Sequence, residues 1–158
     1  GTTNLRIRRV VEGNVVAETV SEKGVARVQG NFSGILREAM QEIGANPPVV
    51  VSGMASSSMG WREVPYAELP FPLDGSGTVS FQVEPNVFLI SGVRGNTEIM
   101  RGEETELLGL EGLPEDTLVL LPGTHSKHCH IRSGVLVTFQ THLTGELRQL
   151  LRTHSVLS

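Results

Sequence analysis

Residues 32–51 read FSGILREAMQEIGANPPVVV, and this stretch decides the fold class. Phe32, Ile35, Leu36, Ala39, Met40 and Ile43 recur at helical spacing, with Arg37, Glu38, Gln41 and Glu42 on the opposite face. The spacing predicts an amphipathic helix over 32–43 that Gly44 stops and Pro47-Pro48 keeps from restarting. Val49-Val50-Val51 is a short β-branched run of the kind found in a central strand covered on both faces. Upstream, Asn4 to Val10 and Val15 to Thr19 alternate as strands around Glu12-Gly13-Asn14, which has the chemistry of a hairpin turn. Val25 to Val28 is a further, shorter strand expectation. Hairpin, helix and buried strand in that order predict a mixed α/β sheet with flanking helices.

Working downstream, Pro65 to Gly77 reads as a long loop and Phe88 to Ile90 as another buried strand. Glu103 to Leu110 has helical spacing and opens on acids, which suit a helix N-terminus. After Pro114 the pattern changes. Leu118 to Leu121 predicts a strand, and Lys127 to Ile131 pairs with Val135 to Phe139 across Arg132-Ser133-Gly134. Glu146 to Leu151 predicts a last helix with Thr144 as its N-cap. This order repeats the opening of the chain, so two domains are expected: 1–113, and 114–158 as the start of a second, cut off early.

Composition narrows the function classes. The 158 residues carry 13 Lys+Arg against 17 Asp+Glu, a net charge of −4 without a basic run. Such a chain lacks the electrostatic footprint of a nucleic-acid or anionic-membrane binder, and 4% aromatic residues make a poor base-stacking platform. A hydrophobic share of 39% is enough for a packed core. No apolar run approaches the roughly 20 residues of a membrane span, and no signal-peptide pattern is expected at the start. The single cysteine, Cys129, fits a reducing compartment, so a cytoplasmic location is expected.

Three segments carry chemistry. Gly1-Thr2-Thr3-Asn4 offers N–H groups and hydroxyls to phosphate oxygens, or is a plain turn. Met100-Arg101-Gly102-Glu103-Glu104-Thr105 sets two carboxylates beside a guanidinium, either to shape a general base and a metal site or as ordinary acids at a helix start. Gly123-Thr124-His125-Ser126-Lys127 reads as a phosphate-holding turn with a cation, or, with His128, Cys129 and His130, as a source of metal ligands. In a strand His128 and His130 face away from Cys129, so a mononuclear metal site lacks convergence. Cys129 then reads as a small buried apolar residue. No nucleotide-binding glycine-rich fingerprint is present.

Five blocks in order resemble the 2-dehydro-3-deoxygalactonokinases, sugar-acid kinases of the actin-like superfamily. They are Gly1-Thr2-Thr3-Asn4-Leu5-Arg6; Ser52-Gly53-Met54 through Gly60-Trp61 with Pro65-Tyr66; Met100-Arg101-Gly102-Glu103-Glu104-Thr105; Pro122-Gly123-Thr124-His125-Ser126-Lys127; and Leu143-Thr144-Gly145-Glu146-Leu147 with His154-Ser155. The resemblance implies ribonuclease-H-like domains with ATP in the cleft between them. It implies transfer of the γ-phosphoryl group, with Mg²⁺, to the terminal hydroxyl of a 2-keto-3-deoxy sugar acid in galactonate breakdown. On that basis Gly1, Thr2, Thr3 and Asn4, and Gly123, Thr124, His125 and Lys127, match the two phosphate loops. Glu103 or Glu104 falls where the catalytic carboxylate is held. Ser56, Ser57, Ser58, Gly60, Trp61 and Tyr66 line the sugar pocket, and Arg101 is the candidate for the substrate carboxylate. No residue is assigned as a metal ligand.

The family also has an apolar strand ending in an aspartate before the position of Gly1, and a nucleoside-binding part beyond that of Ser158. This chain is therefore expected to be a fragment without turnover of its own. His128 stands where the family has an aromatic residue. Sugar acid and ATP are the expected partners, without nucleic acid or membrane, and homo-oligomerisation is left open. The alternatives are an actin-like phosphohydrolase, whose carboxylates orient water, and a non-enzymatic metal-binding module built on His125 to His130.

Overall fold

The computed structural model describes residues 1–155. In chain order the elements are β1 (Leu5–Val11), β2 (Asn14–Ser21), a 3₁₀ turn (Val25–Arg27), α1 (Phe32–Glu42), β3 (Val49–Val51) and a second 3₁₀ turn (Met54–Ser56). Then come β4 (Ala67–Glu68), β5 (Phe71–Pro72), β6 (Ser80–Glu84), β7 (Val87–Ile90), β8 (Val93–Arg94), β9 (Ile99–Met100) and α2 (Glu103–Leu108). The chain closes with β10 (Asp116–Leu121), β11 (Ser126–Arg132), β12 (Val135–His142) and α3 (Thr144–His154). The architecture is mixed α/β, with several small sheets and few helices rather than one mixed sheet.

The chain forms two compact units: residues 1–65 with 79–91, and residues 66–78 with 92–158. Strand β5 pairs with β12, Phe71 opposite Leu136 and Pro72 opposite Val135, which places a segment from the first half of the chain in the β10–β12 sheet.

In the first unit β1 and β2 form an antiparallel hairpin, and β3-β7-β6 a three-stranded sheet. Helix α1 forms where its periodicity predicts. The Asn31 side chain caps it by accepting from the Gly34 N–H. Its apolar face puts Leu36 and Met40 against Val87, with Ile7, Val49, Val51 and Trp61 packed around them. Two expectations fail here. Val25–Arg27 is a 3₁₀ turn, because the N–H groups of Gly24, Val25 and Ala26 donate to the carbonyls of Thr3, Gly1 and Thr2 instead of to a neighbouring strand. Among the described residues Val49–Val51 is an edge strand that pairs parallel to β7 alone and leaves Val50 64% exposed; the central strand is β7.

In the second unit β10-β11-β12-β5 form one sheet and β4-β8-β9 another. Their core gathers Phe71, Val93, Met100, Leu107, Cys129, Ile131, Leu136 and Phe139. Full burial of each large apolar side chain contributes about 1.5–3 kcal/mol. The hairpin of β11 and β12 forms across Arg132 to Val135, as its alternation predicts. Cys129 and Ile131 are buried while His128 is exposed and His130 half-buried on the other face. The expected loop over 65–77 contains β4 and β5. Thr144 is the first residue of α3 and not its cap; Leu143 holds that position without a side-chain hydrogen bond. Among the described residues no helix is long and apolar enough to cross a membrane.

Candidate functional site

The densest chemistry lies at the start of α2. Gly102 precedes the helix with φ 113° and ψ −40°, a conformation that strains any residue with a Cβ. This turn aims two consecutive backbone N–H groups at the two carboxylates that follow. The Arg101 N–H donates to Glu103 Oε2 at 2.9 Å, and the Gly102 N–H donates to Glu104 Oε2 at 2.7 Å. Glu104 is 1% exposed and also accepts from the Thr105 hydroxyl at 3.4 Å; Glu103 is half-buried. The two acids, equivalent in the sequence, therefore sit in different environments.

Arg101 and Tyr66 meet beside them. The Arg101 guanidinium lies 4.2 Å from the Tyr66 ring centroid, and its Nε–H donates to the Tyr66 hydroxyl at 3.3 Å. Arg94, which the sequence did not single out, brings a second guanidinium to 5.1 Å from the same ring. Gly92 makes the approach possible. A Cβ there would press into the Met100 carbonyl oxygen and lie 3.0 Å from a Tyr66 ring carbon and 3.2 Å from the Arg101 Cα. Nothing in the spacing around Gly92 signals this, because the crowding comes from β9 and from Tyr66, which sequence places elsewhere.

The Gly123–Ser126 turn is held by the N-terminus of α3. The Gly123 N–H donates to the Ser126 hydroxyl at 3.3 Å, and the Ser126 and Thr144 hydroxyls bond to one another. The Glu146 N–H donates to the Thr124 carbonyl at 3.1 Å. The Glu146 carboxylate meets His125 Nε2 at 2.6 Å. Thr144 and Glu146 thus anchor the loop; their block was visible in the sequence, but their role was not. Lys127 is 5% exposed, and its ammonium donates inward to the Ile99 carbonyl and the Thr141 hydroxyl.

In the first unit the carbonyls of Gly1, Thr2 and Thr3 are taken by the N–H groups of residues 24–26, which fixes this turn from its acceptor side; Gly1 to Asn4 are exposed. The serine stretch divides. Ser56 is buried with its hydroxyl donated to the Gly53 carbonyl, and Ser57 donates to the Met54 carbonyl, so both brace the 3₁₀ turn; Ser58 is exposed. Trp61 stacks on Phe32 with centroids 5.8 Å apart and planes 10° from parallel, and Gly60 donates its N–H to the Ser57 carbonyl. Ser56, Ser57 and Trp61 therefore have packing duties the sequence did not reveal.

Among the described residues no three His, Cys, Asp or Glu side chains gather to hold a metal ion. His130 is engaged by Asp116 at 2.6 Å, and His128 lies against His142 with ring centroids 4.1 Å apart. The Cys129 thiol is pushed up to about 11, first by burial and then by the Glu103 carboxylate, against a smaller opposing effect of Lys127. It is a poor nucleophile and a poor ligand in this state.

A model of the 2-keto-3-deoxy-galactonokinase family matches residues 1–158. The chain is 34% identical over 163 residues to the 2-dehydro-3-deoxygalactonokinase of Escherichia coli (strain K12), covering 99% of this chain and 56% of that protein. It is 33% identical over 171 residues to a protein of Rhizobium meliloti (strain 1021) provisionally given the same name, covering 100% of this chain and again 56% of the relative. A crystal structure from Sinorhizobium meliloti, likewise provisionally described as a 2-dehydro-3-deoxygalactonokinase, superposes with a TM-score of 0.86 at 31% identity, over 99% of this chain and 56% of that one. The chain thus spans a little over half the length of the relatives it matches.

Proposed function

The chain belongs to the 2-keto-3-deoxy-galactonokinase family, and from that premise we propose that the protein transfers the γ-phosphoryl group of ATP to the terminal hydroxyl of 2-dehydro-3-deoxy-D-galactonate. The observation that carries this reading is the half-buried Glu103, two residues from an Arg101 guanidinium stacked on Tyr66. A guanidinium fork recognises the substrate carboxylate, and Tyr66 sets its plane. Glu103 takes the proton from the terminal hydroxyl as that oxygen attacks the γ-phosphorus. The bond from the γ-phosphorus to the β,γ-bridging oxygen breaks, and ADP leaves. Positioning and charge neutralisation supply most of the rate in such a transfer.

Gly1 to Asn4 and Gly123 to His125 take phosphate oxygens through backbone N–H groups and threonine hydroxyls. Exposed Ser58 is the member of the serine stretch that reaches the sugar, with Gly60 and Trp61 shaping its surroundings. Mg²⁺ would accompany the nucleotide as its counter-charge. Among the described residues no three His, Cys, Asp or Glu side chains gather to hold it.

We infer ribonuclease-H-like, actin-like domains, a sugar-acid domain over 1–113 and the opening of a nucleotide-binding domain over 114–158. The hairpin, helix and strand of residues 5–51 and the β10-β11-β12-α3 succession support that reading. A cytoplasmic place in galactonate catabolism fits a kinase that draws on ATP. The test is ADP release by the full-length protein across a panel of 2-keto-3-deoxy aldonates. Turnover on the galactonate-derived acid is expected; hydrolysis of ATP with none of the acids phosphorylated would overturn the reading.

A further inference from the structure

Lys127 directly follows the Gly123–Ser126 turn, and a lysine there reads as the loop's phosphate cation. Its surroundings give it other partners. Nζ donates to the Ile99 carbonyl at 2.8 Å and to the Thr141 hydroxyl at 2.9 Å. The Thr141 hydroxyl has one proton and gives it to Glu98 Oε2 at 2.6 Å, so the chain of hydrogen bonds has one direction, from ammonium to hydroxyl to carboxylate. The Phe139 ring, with its centroid 5.8 Å from Nζ, closes one side. A buried ammonium needs such partners, and each partner atom would in turn lose its donor if the ammonium were removed.

What these bonds join matters more than their number. Ile99 opens β9, and Arg101 and Glu103 follow it within four residues. Lys127 is the second residue of β11, whose first residue, Ser126, completes the phosphate-loop turn. Strand β9 pairs in the β4-β8-β9 sheet and β11 in the β10-β11-β12-β5 sheet, and among the described residues no strand ladder joins the two. One side chain therefore links the backbone entering the carboxylate segment to the strand leaving the loop.

We propose that Lys127 is a positioning residue: it holds the Arg101–Glu103 segment at a fixed distance from the Gly123–Ser126 loop through the Ile99 carbonyl, with Thr141 and Glu98 orienting its ammonium, and it does not contact phosphate. This rests on the kinase reading only in that its effect appears on turnover. A 1 Å misplacement of reacting groups costs on the order of 10²-fold in rate. In the full-length protein, Lys127→Met is therefore expected to lower kcat by at least about 10-fold while the Kd for ATP, measured by calorimetry, moves by less than about 3-fold. Thr141→Val lowers kcat in the same direction, Thr141→Ser restores it, and the Lys127→Met/Thr141→Val double variant is no slower than Lys127→Met alone, since both cut one chain.

A rise of tenfold or more in the ATP Kd of Lys127→Met, with Thr141→Val unchanged, would make Lys127 a phosphate ligand and overturn the proposal. A fall in Tm with kcat intact would overturn it as well, reducing Lys127 to packing. If Lys127→Met does not fold, Lys127→Arg and the Thr141 variants carry the same comparison. If the wild-type protein phosphorylates no sugar acid, the functional reading fails, but hydrogen exchange still decides this one. The Arg101 and Gly102 amides are expected to exchange faster in Thr141→Val than in wild type, and unchanged exchange would overturn the proposal.

Discussion

Gly92→Ala is the perturbation that tests the Tyr66–Arg101 geometry most directly. Gly92 does not occupy the left-handed region, so alanine is conformationally acceptable and by itself stabilises by about 0.4–1 kcal/mol through the unfolded chain. The cost comes from space. The new Cβ would overlap the Met100 carbonyl oxygen and stand 3.0 Å from the Tyr66 ring and 3.2 Å from the Arg101 Cα. Two of these three neighbours are backbone atoms, which cannot swing aside as a side-chain end can. Overpacking costs about 1–3 kcal/mol, and the two backbone neighbours put this case in the upper part of that range, so the net loss is roughly 1–2.6 kcal/mol after the gain from the unfolded state. That corresponds to a Tm lower by roughly 2–10 °C.

Relief of the clash must move β9 or Tyr66, and either shift separates the guanidinium from its ring. The kcat/KM for the sugar acid is expected to fall by about 10- to 100-fold, more than the stability loss explains at a temperature where both proteins are folded. Differential scanning fluorimetry and a coupled ADP-release assay on the full-length protein measure the two effects separately. A Gly92→Ala protein with wild-type Tm and wild-type kcat/KM would refute the close approach. A lowered Tm with unchanged kcat/KM would keep the packing and remove Tyr66 and Arg101 from the substrate.

Three other outcomes are expected. Glu103→Gln lowers kcat by at least about 10² with ATP binding retained, whereas Glu104→Gln lowers Tm more than Glu103→Gln does; the reverse pattern in both measurements would exchange their roles. With its thiol pushed up to about 11 by burial and by Glu103, Cys129 resists iodoacetamide at pH 8 in the native protein and reacts once the protein is unfolded; prompt labelling of the native state would contradict its burial. Asp116 is held below its ordinary value of 3.8 chiefly by the His130 hydrogen bond, with Arg132 adding to it. A depressed carboxylate contributes stability above the unfolded value and loses it as pH falls through the folded one. Asp116→Asn should therefore flatten the acid limb of the Tm–pH curve below about pH 4, and an unchanged limb would show that the pair is inconsequential.

Local periodicity made much of this fold legible. Helix α1, the β11–β12 hairpin and the opposite facing of Cys129 and His128 all follow from spacing within a dozen or so residues, and each lies where its pattern predicts. What the pattern did not reveal depends on partners distant in sequence. Val25–Arg27 has the composition of a strand, but its N–H groups find the carbonyls of Gly1 and Thr2. Val49–Val51 has the composition of a central strand, yet β7 takes the centre. Lys127 has the position of a phosphate ligand, and only the arrival of Ile99 and Thr141 shows where its ammonium goes. Ser56 looks like one hydroxyl of three until burial separates it from Ser58. In each case the residue type was compatible with two environments, and tertiary contacts chose between them.

The pair Glu103-Glu104 shows how one residue of helical rotation divides two acids with the same chemistry. Successive side chains on a helix turn by 100°, so Glu104 lies between Leu107 and Leu108, three and four residues on, while Glu103 lies between Leu107 and Glu106. Leu107 is fully buried in the core of the second unit and Leu108 packs against it, whereas Glu106 is exposed. Helix α2 must turn the face between Leu107 and Leu108 inward to bury it, and Glu104 goes with it. A carboxylate there is costly unless hydrogen bonds serve it, and the Gly102 N–H at 2.7 Å and the Thr105 hydroxyl supply two. Those bonds tie Glu104 to the turn that also presents the Arg101 N–H to Glu103. Glu104 is thus suited to fixing the turn and Glu103 to meeting a substrate. Replacing Leu108 with a polar residue should then disturb Glu104 before Glu103, because Glu104 is flanked by both leucines and Glu103 by Leu107 alone.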